Sequence, residues 1–239
     1  MRAGRNTRQR ILDAALVLFN ERSPAQVTTA EIAEATGIAE GNLHYYFRKK
    51  ADLLLALFEV FEAEAGSVAA RDLGGDNPPL KAYVDYQRDW FRLMWTHRWL
   101  YRDTASLYSI APEMRARAHA LSSRAQRLVR SVFQQMIRSG VLRASADEAE
   151  HLLANVWIVS LYWIDYLRFT SGREALGQGD FAWGYKQVLA LYSQLLTAQG
   201  KVLFQDALRT DVPATSAGVA KRQRLPGGRP RSSIRARGD

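Results

Sequence analysis

Apolar residues recur at helical spacing along almost the whole chain, and almost no segment alternates apolar and polar residues as a half-buried strand does. In the first twenty residues, for example, Ile11, Ala15 and Phe19 fall on one face of a helix. Hydrophobic residues make up 47% of the 239 positions, which is ample for a buried core. The pattern therefore predicts an all-α globular protein.

Capping residues place the first helix boundaries. Thr7 is expected to cap the first helix, and Thr28 followed three residues later by Glu31 has the pattern of a capping box for the second. Gly37 is expected to end that second helix. The first four helices are predicted at about 7–23, 30–36, 40–47 and 50–70.

Turn-forming residues divide the rest of the chain. A loop is predicted at 72–79, where Gly, Asn and Pro cluster, and the last helix is expected to break near Gly200. Further turns are predicted around Ser145 and from Ser171 to Gly179. The later helices are predicted at about 80–97, 101–109, 112–139, 146–169 and 180–208. The predicted organisation is a three-helix domain (1–50), a connecting helix (50–70) that begins a larger helical domain (51–210), and a basic, disordered tail (211–239).

Positive charge is confined to the two ends of the chain. The formal net charge is +9, of which residues 1–50 carry +3 and residues 212–239 carry +6, while residues 51–211 sum to zero. This distribution suggests a nucleic-acid contact at each end, and solvated termini are the alternative. Basic N-terminal residues are expected to reach phosphates or a minor groove, with plain solubility as the alternative. They are Arg2, Arg5, Arg8 and Arg10.

The segment TTAEIAEATGIAEGNLHYYFRKKADLL, which runs from Thr28 to Leu54, has the form of two short helices joined by a tight turn at Gly37. That arrangement presents a recognition helix to the major groove of double-stranded DNA. Ile32, Leu43 and Phe47 are expected to face a core shared with the first helix. The opposite face is then free to contact DNA.

This segment and the first helix resemble the DNA-binding domain of the tetracycline-repressor (TetR) family. The matching stretches are ILDAALVLF from Ile11 to Phe19, VTTAEIAEATGI from Val27 to Ile38, and GNLHYYFRKKADLL from Gly41 to Leu54. The resemblance covers roughly residues 7–60. It implies an all-helical homodimer that regulates transcription, by default as a repressor. It also implies an effector that binds the C-terminal domain and changes the spacing of the two DNA-binding heads.

The resemblance also assigns DNA-binding roles by position. Tyr45 and Lys50 match residues that hold phosphates, and a hydroxyl or an ammonium group suits that role chemically. Asn42 is the best candidate for base recognition because its amide pairs with adenine in bidentate fashion, and capping or solvation is the alternative. The remaining positions are Thr28 and Thr29, where the second helix meets the DNA backbone, and Gly41, His44 and Tyr46 on the recognition helix.

Three residues depart from the family pattern. Ala39 stands where a serine commonly opens the recognition helix, and it has no hydroxyl for capping or for phosphate. His44 stands where tyrosine is commonest. Glu40 is acidic at the DNA-facing helix start, where it either accepts from a cytosine amino group or stabilises the helix dipole. These departures affect the operator sequence rather than DNA binding itself.

Large aromatic residues crowd the segment from Trp90 to Tyr108. Such rings usually fill a core, but together with methionines they also line adaptable hydrophobic pockets. We expect core packing for any single residue and a pocket for a small hydrophobic or aromatic effector for the set, with Val156 and Ser160 facing it. The pocket set is Trp90, Met94, Trp95, Tyr108, Met114, Phe133, Met136 and Trp157.

The last two long helices are apolar over more than one face, so one protomer has difficulty covering both. Paired across a two-fold axis they would form a four-helix interface between two copies of the chain. The interface set is Leu161, Tyr162, Trp183, Leu189 and Tyr192. A dimer addresses two DNA half-sites about 34 Å apart, or a multiple of that distance, so a palindromic operator is expected.

Other classes of function find little support in the sequence. The chain has no cysteine, and its four histidines are scattered without a metalloprotease pair, a phosphate-binding glycine loop or a nucleophile elbow. We expect no enzyme activity, no cofactor, no metal site, no secretion signal, no membrane span and a cytoplasmic location. The alternative to a ligand-responsive regulator is a ligand-independent DNA-binding or nucleoid-associated protein that uses both basic ends.

Overall fold

The computed structural model describes residues 2–70, 79–172 and 177–209. Within these ranges the chain forms ten α-helices, one 3-10 helix (Arg98–Tyr101) and a single isolated bridge between Leu142 and Leu196. The α-helices are α1 (Arg2–Glu21), α2 (Thr29–Thr36), α3 (Glu40–Tyr46), α4 (Lys50–Ala69), α5 (Pro79–Thr96), α6 (Thr104–Ile110), α7 (Glu113–Arg138), α8 (Ala146–Ser171), α9 (Gln178–Ser193) and α10 (Ala198–Arg209). The prediction of an all-α fold is confirmed.

Several helix ends lie where local sequence patterns predict them. The Thr28 hydroxyl accepts from the Glu31 backbone N–H and the Glu31 carboxylate accepts from the Thr28 backbone N–H, so the capping box is formed. Gly37 ends α2 with φ of 72°, in the left-handed region that favours glycine. Ser145 caps α8 through a second capping box with Glu148.

Two predicted helix starts are wrong. The first helix already begins at Arg2, so Thr7 lies inside α1 and does not cap it; no strong helix breaker such as proline precedes Thr7 to prevent this extension. The helix predicted at 101–109 begins instead at Thr104, because the Asp103 carboxylate accepts from the Ser106 backbone N–H at 3.1 Å. Tyr101 belongs to the 3-10 helix that precedes it.

The break in the last predicted helix lies at residues 194–197 rather than near Gly200. The Thr197 hydroxyl accepts from the Gly200 backbone N–H at 3.1 Å and thereby caps α10. Gly200 is needed for a different reason: a Cβ at this position would lie 2.2 Å from the carbonyl oxygen of Val141. The close approach of α10 to the turn after α7 therefore selects glycine.

Two of the predicted connections lie partly or wholly outside the described residues. Of the predicted loop at 72–79, only Pro79 is described, as the first residue of α5. Of the turn predicted from Ser171 to Gly179, Ser171 lies in α8 and Gly179 in α9, so the connection is shorter than predicted. The predicted disordered tail at 211–239 lies outside the described residues.

Two clusters of buried side chains hold the fold together. The first joins α1–α4 to Trp90 and Met94 of α5, Leu107 of α6 and Met114 of α7. The second packs α5 against α7–α10. The first cluster thus joins Phe58 and Phe61 of α4 both to α1–α3 and to α5–α7. The three-helix domain and the larger domain are held together by this one cluster.

Candidate nucleic-acid interface and internal cavity

Two arginine side chains of α1 contact the helix-turn-helix. The Arg10 guanidinium of α1 donates to the Thr36 carbonyl at the end of α2. The Arg8 guanidinium lies over the Phe47 ring, 5.1 Å from its centroid. Of the predicted basic N-terminal residues, these two contact the helix-turn-helix itself, and the side chains of Arg2 and Arg5 lie outside the described residues.

One face of α3 is buried and the other is exposed. Leu43 is the buried residue of α3, and Phe47 just beyond it is also buried. The predicted DNA-binding residues of α3 lie on the exposed face, with Tyr45 82% exposed. They are Glu40, Gly41, Asn42, His44 and Tyr45. Tyr46 is half-buried and packs edge-on against the Tyr45 ring, with centroids 5.2 Å apart.

Glu40 links the two helices of the motif. The Thr29 hydroxyl donates to the Glu40 carboxylate at 2.7 Å, and the His44 Nε2 lies 3.7 Å from the same oxygen. Ala39 occupies the cap position of α3 and makes no side-chain cap, as its chemistry predicts. Glu40 therefore has a structural partner on α2 in addition to its place at the start of the recognition helix.

Lys50 is held by the turn before α2. Its Nζ donates to the carbonyl oxygens of Pro24 and Val27, both at 2.9 Å. The side chain is half-buried, and this burial lowers the pKa of the Lys50 ammonium. Two of the three ammonium protons thus hold the backbone that leads into α2.

A cavity of about 600 Å³ lies between α4, α5, α6, α7 and α8. We call the three-helix domain (1–50) the recognition domain from here on. Four predicted pocket residues line it: Trp90, Tyr108, Met114 and Trp157. Val156 and Ser160 line it as well. The sequence analysis missed Phe58 and Phe61, because both lie on α4, which was treated only as a connecting helix.

The other four predicted pocket residues lie away from the cavity. Met94 is buried in the first core cluster, and Phe133 and Met136 are buried in the second. Trp95 packs on Trp163 with ring centroids 6.2 Å apart. These four residues therefore lie outside the lining of this cavity, and Phe133 lines a second, smaller cavity between α7 and α8.

A buried asparagine connects the recognition domain to the cavity wall. Asn20, near the end of α1, donates from Nδ2 to the Thr96 carbonyl at 2.8 Å and accepts from the Trp99 backbone N–H at 3.0 Å. The Arg102 guanidinium donates to the backbone carbonyl oxygen of Asn20 at 3.3 Å. Residues 100–105, which follow directly, line the cavity. Sequence reasoning missed Asn20, since a polar residue near a helix end has no pattern that reveals a distant partner.

An apolar stripe on α8 faces outward. Ile158, Tyr162, Tyr166 and Phe169 are 55%, 60%, 56% and 92% exposed. Trp183 of α9 stacks on Tyr166 with an interplanar angle of 3°. Two predicted interface residues, Tyr162 and Trp183, lie at this surface, and Leu161 is half-buried beside the cavity.

The remaining two predicted interface residues are inside the protomer. Leu189 is buried and Tyr192 is fully buried in the second core cluster. The Tyr192 ring packs against Tyr83 of α5 and Phe204 of α10. The face of α9 that carries them therefore packs on its own chain, which corrects the interface prediction at these positions.

Two family models match nearly all of the described chain. The model for bacterial regulatory proteins of the tetR family matches residues 11–57, and the TetR model for a bacterial transcriptional repressor matches residues 67–204. The chain belongs to the TetR family. Members of this family are helix-turn-helix DNA-binding transcription regulators, typically dimeric repressors whose DNA binding is modulated by ligands.

Individual relatives agree with the family assignment. The HTH-type transcriptional regulator AcrR of Shigella flexneri is 37% identical over 62 residues, which are 26% of this chain and 29% of AcrR. The uncharacterised regulator YvkB of Bacillus subtilis is 26% identical over 68% of this chain and 84% of its own length. The crystal structure of a TetR-family regulator from Marinobacter aquaeolei is 25% identical, with a TM-score of 0.73 over 84% of this chain and 97% of that one.

Other kinds of site are absent from the part of the chain that the structure describes. Its histidines and carboxylates nowhere gather in threes at a distance suited to a metal ion. None of its helices combines the length and the hydropathy needed to cross a membrane. The α3 face and the cavity are therefore the two features that a functional proposal has to explain.

Proposed function

We propose that this chain is a homodimeric regulator that binds a palindromic operator through α3 and releases it, as a repressor does, when a small hydrophobic or aromatic effector enters the cavity. The exposed face of α3 supports the DNA-binding half. Asn42 and Tyr45 are exposed on this face, which supports a base contact by the Asn42 amide and phosphate contacts by Tyr45 and Lys50. Thr28 and Thr29, at the start of α2, approach the same DNA backbone.

The cavity supports the effector half of the proposal. Its volume of about 600 Å³ lies within the range of small-molecule sites. Aromatic rings such as Phe61, Trp90 and Trp157 make up much of its wall, and polar side chains such as Gln87 and Ser160 interrupt this apolar surface. This composition suits a ligand that is mostly apolar.

The hydrogen bonds of Asn20 are the single observation that supports control of DNA binding by a ligand. Through it, α1 of the recognition domain is hydrogen-bonded to the segment that leads into the cavity wall at 100–105. A ligand that displaces this wall also displaces α1, and with it the core that holds α3. Because Asn20 is 8% exposed, these hydrogen bonds are shielded from water and costly to break.

The apolar stripe on α8 supports the homodimer. Four large apolar side chains exposed along one helix form a patch of the kind that marks protein interfaces. We place this stripe, extended by Trp183, at the centre of a two-fold contact between α8 and α9 of two protomers. The two α3 helices then address half-sites related by the same axis.

DNA binding measured with and without ligand tests the proposal. The full chain is titrated against DNA from upstream of its own gene and against random DNA of equal length, at several salt concentrations. A regulator binds the upstream DNA far more tightly, and a cavity ligand weakens that binding. Equal affinity for both DNAs would favour the alternative of a general DNA-compacting protein.

A further inference from the structure

The polar groups inside the cavity define the chemistry of its ligand. We infer, building on the proposed effector site, that the cavity takes a neutral aromatic molecule bearing a hydroxyl group, which Gln87 and Ser160 hydrogen-bond. The inference rests on three features of the lining: the position of its charges, its two deeply buried polar side chains, and its parallel rings.

The charged side chains and the histidine of the cavity lining, His119 included, are exposed or half-buried, and none of them is fully buried. Arg102 and Asp103 are half-buried, and Arg115 and Asp165 are exposed. Arg102 is already bonded to Asn20, and Asp103 caps α6. A ligand charge carried into the interior would lose its water without gaining an opposite charge, so a neutral ligand is favoured.

Gln87 and Ser160 are the deeply buried polar side chains of the lining, at 3% and 5% exposed. The Gln87 amide nitrogen donates to the Tyr83 hydroxyl, which orients the amide. Its oxygen, and the Ser160 hydroxyl, hydrogen-bond no other described residue. Neither atom is sealed off by protein, so both are open to the cavity and suit a ligand that supplies the partner.

Two parallel aromatic rings of α5 line the cavity. The rings of Tyr86 and Trp90, one helical turn apart on α5, are stacked at 6.2 Å with an interplanar angle of 17°. Such a pair favours a planar ring packed against it. A phenolic ligand satisfies both conditions, because its ring packs on these rings while its hydroxyl donates its one proton to the Gln87 oxygen and accepts from the Ser160 hydroxyl.

Three probes of one shape test this inference: 4-hydroxybiphenyl, biphenyl and biphenyl-4-carboxylate. Binding to the full chain is followed by calorimetry and by quenching of tryptophan fluorescence, since Trp90 and Trp157 line the cavity. We expect 4-hydroxybiphenyl to bind about tenfold more tightly than biphenyl, and the carboxylate to bind most weakly.

Variants connect that preference to the two residues. Ser160→Ala and Gln87→Met should each remove most of the tenfold preference for the hydroxyl while leaving the affinity for biphenyl unchanged. Ser123→Ala is the matched control, because Ser123 is a half-buried serine of α7 outside the cavity lining. Thermal unfolding checks each variant, and Ser160→Ala alone decides the matter where Gln87→Met does not fold.

The inference is overturned if biphenyl binds as tightly as 4-hydroxybiphenyl, if the carboxylate binds best, if no probe binds, or if both variants keep the preference. The same probes are added to the protein bound to its upstream DNA. A probe that binds with the expected preference but leaves DNA binding unchanged supports the ligand class and contradicts the proposed regulation. A failure of the ligand inference can thus be distinguished from a failure of the proposed regulation.

Discussion

The exposed side chains of α3 suit two kinds of DNA contact, one to phosphates and one to bases. Tyr45 has a single hydroxyl that suits a phosphate oxygen, which is present at every base pair. Asn42 has an amide with both a donor and an acceptor, which distinguishes adenine from other bases in the major groove. The two positions should therefore respond differently to substitution.

We expect Asn42→Ala to relax the base preference at one position in each half-site, at a cost of about 1–3 kcal/mol of discrimination. Tyr45→Phe should instead weaken binding to all sequences alike. Competition binding with operators that carry each base at each position measures both effects. Equal losses on operator and random DNA for Asn42→Ala would assign Asn42 a backbone contact.

Lys50 has a structural role in addition to its proposed phosphate contact. Its position in the motif implies a phosphate contact, while its Nζ holds the carbonyls of Pro24 and Val27. Any effect of its replacement on DNA binding will therefore include a loss of order at the start of α2. For this reason Tyr45 is the better probe of phosphate binding.

At the scale of elements, the start of α2 depends on an ionised carboxylate. Hydrogen bonds from the Thr28 backbone, from Arg22 and from the Thr28 hydroxyl lower the pKa of Glu31 from its ordinary value of 4.5 to about 2. A depressed pKa in the folded state contributes stability above the unfolded pKa, and this contribution is lost as the pH falls through the folded pKa. The relevant window is thus from about pH 4.5 down to about pH 2.

We expect Glu31→Gln to lower the free energy of unfolding at neutral pH, and the difference from the wild type to shrink as the pH falls from 4.5 toward 2. Urea unfolding followed by circular dichroism across this range measures the difference. Glu34→Gln, an exposed position on the same helix, serves as the control. A difference that stays constant with pH would mean that ionised Glu31 does not stabilise the capping box.

Asn20 joins two elements that belong to different parts of the molecule. We expect Asn20→Ala to reduce the effect of 4-hydroxybiphenyl on operator affinity while the affinity for the probe itself stays the same, because the link between α1 and the cavity wall is lost. The variant should also be less stable by about 1–3 kcal/mol, since the Trp99 backbone N–H loses its acceptor.

The measurement is the ratio of operator affinities with and without saturating 4-hydroxybiphenyl. Gln9→Ala is the control, because Gln9 is an exposed amide of the same helix that bonds only Asp13. An unchanged ratio in Asn20→Ala would show that the signal passes by another route, for which α4 is the structural candidate through Phe58 and Phe61.

At the scale of the whole molecule, the exposed stripe on α8 is the proposed dimer interface. We expect Ile158→Glu to give monomers, because it places a charge in the middle of the proposed apolar contact. Operator affinity should fall roughly a hundredfold or more as the two heads become separate. Sedimentation velocity measures the assembly, and Ser131→Glu on the exposed face of α7 is the control. A variant that stays dimeric would place the interface elsewhere.

Local patterns were sufficient for the helix-turn-helix. The capping box at Thr28 and Glu31, the turn at Gly37 and the buried Leu43 depend on residues within a few positions of each other, so the sequence predicts them directly. The exposed α3 face follows from the same spacing. The exposed positions of most predicted DNA-binding residues could therefore be predicted without a structure, whereas the hydrogen bonds of Lys50 to Pro24 and Val27 could not.

The sequence by itself determined the all-α class, the helix-turn-helix and the family. Only the tertiary structure decided that Tyr192 faces the core while Tyr162 faces outward, that Phe61 lines the cavity while Phe133 does not, and that Asn20 bonds residues 76 and more positions away. The reason is physical: a helix that is apolar on several faces has no preferred inner side of its own. Packing against distant helices selects that side, and spacing along one helix carries no information about those partners.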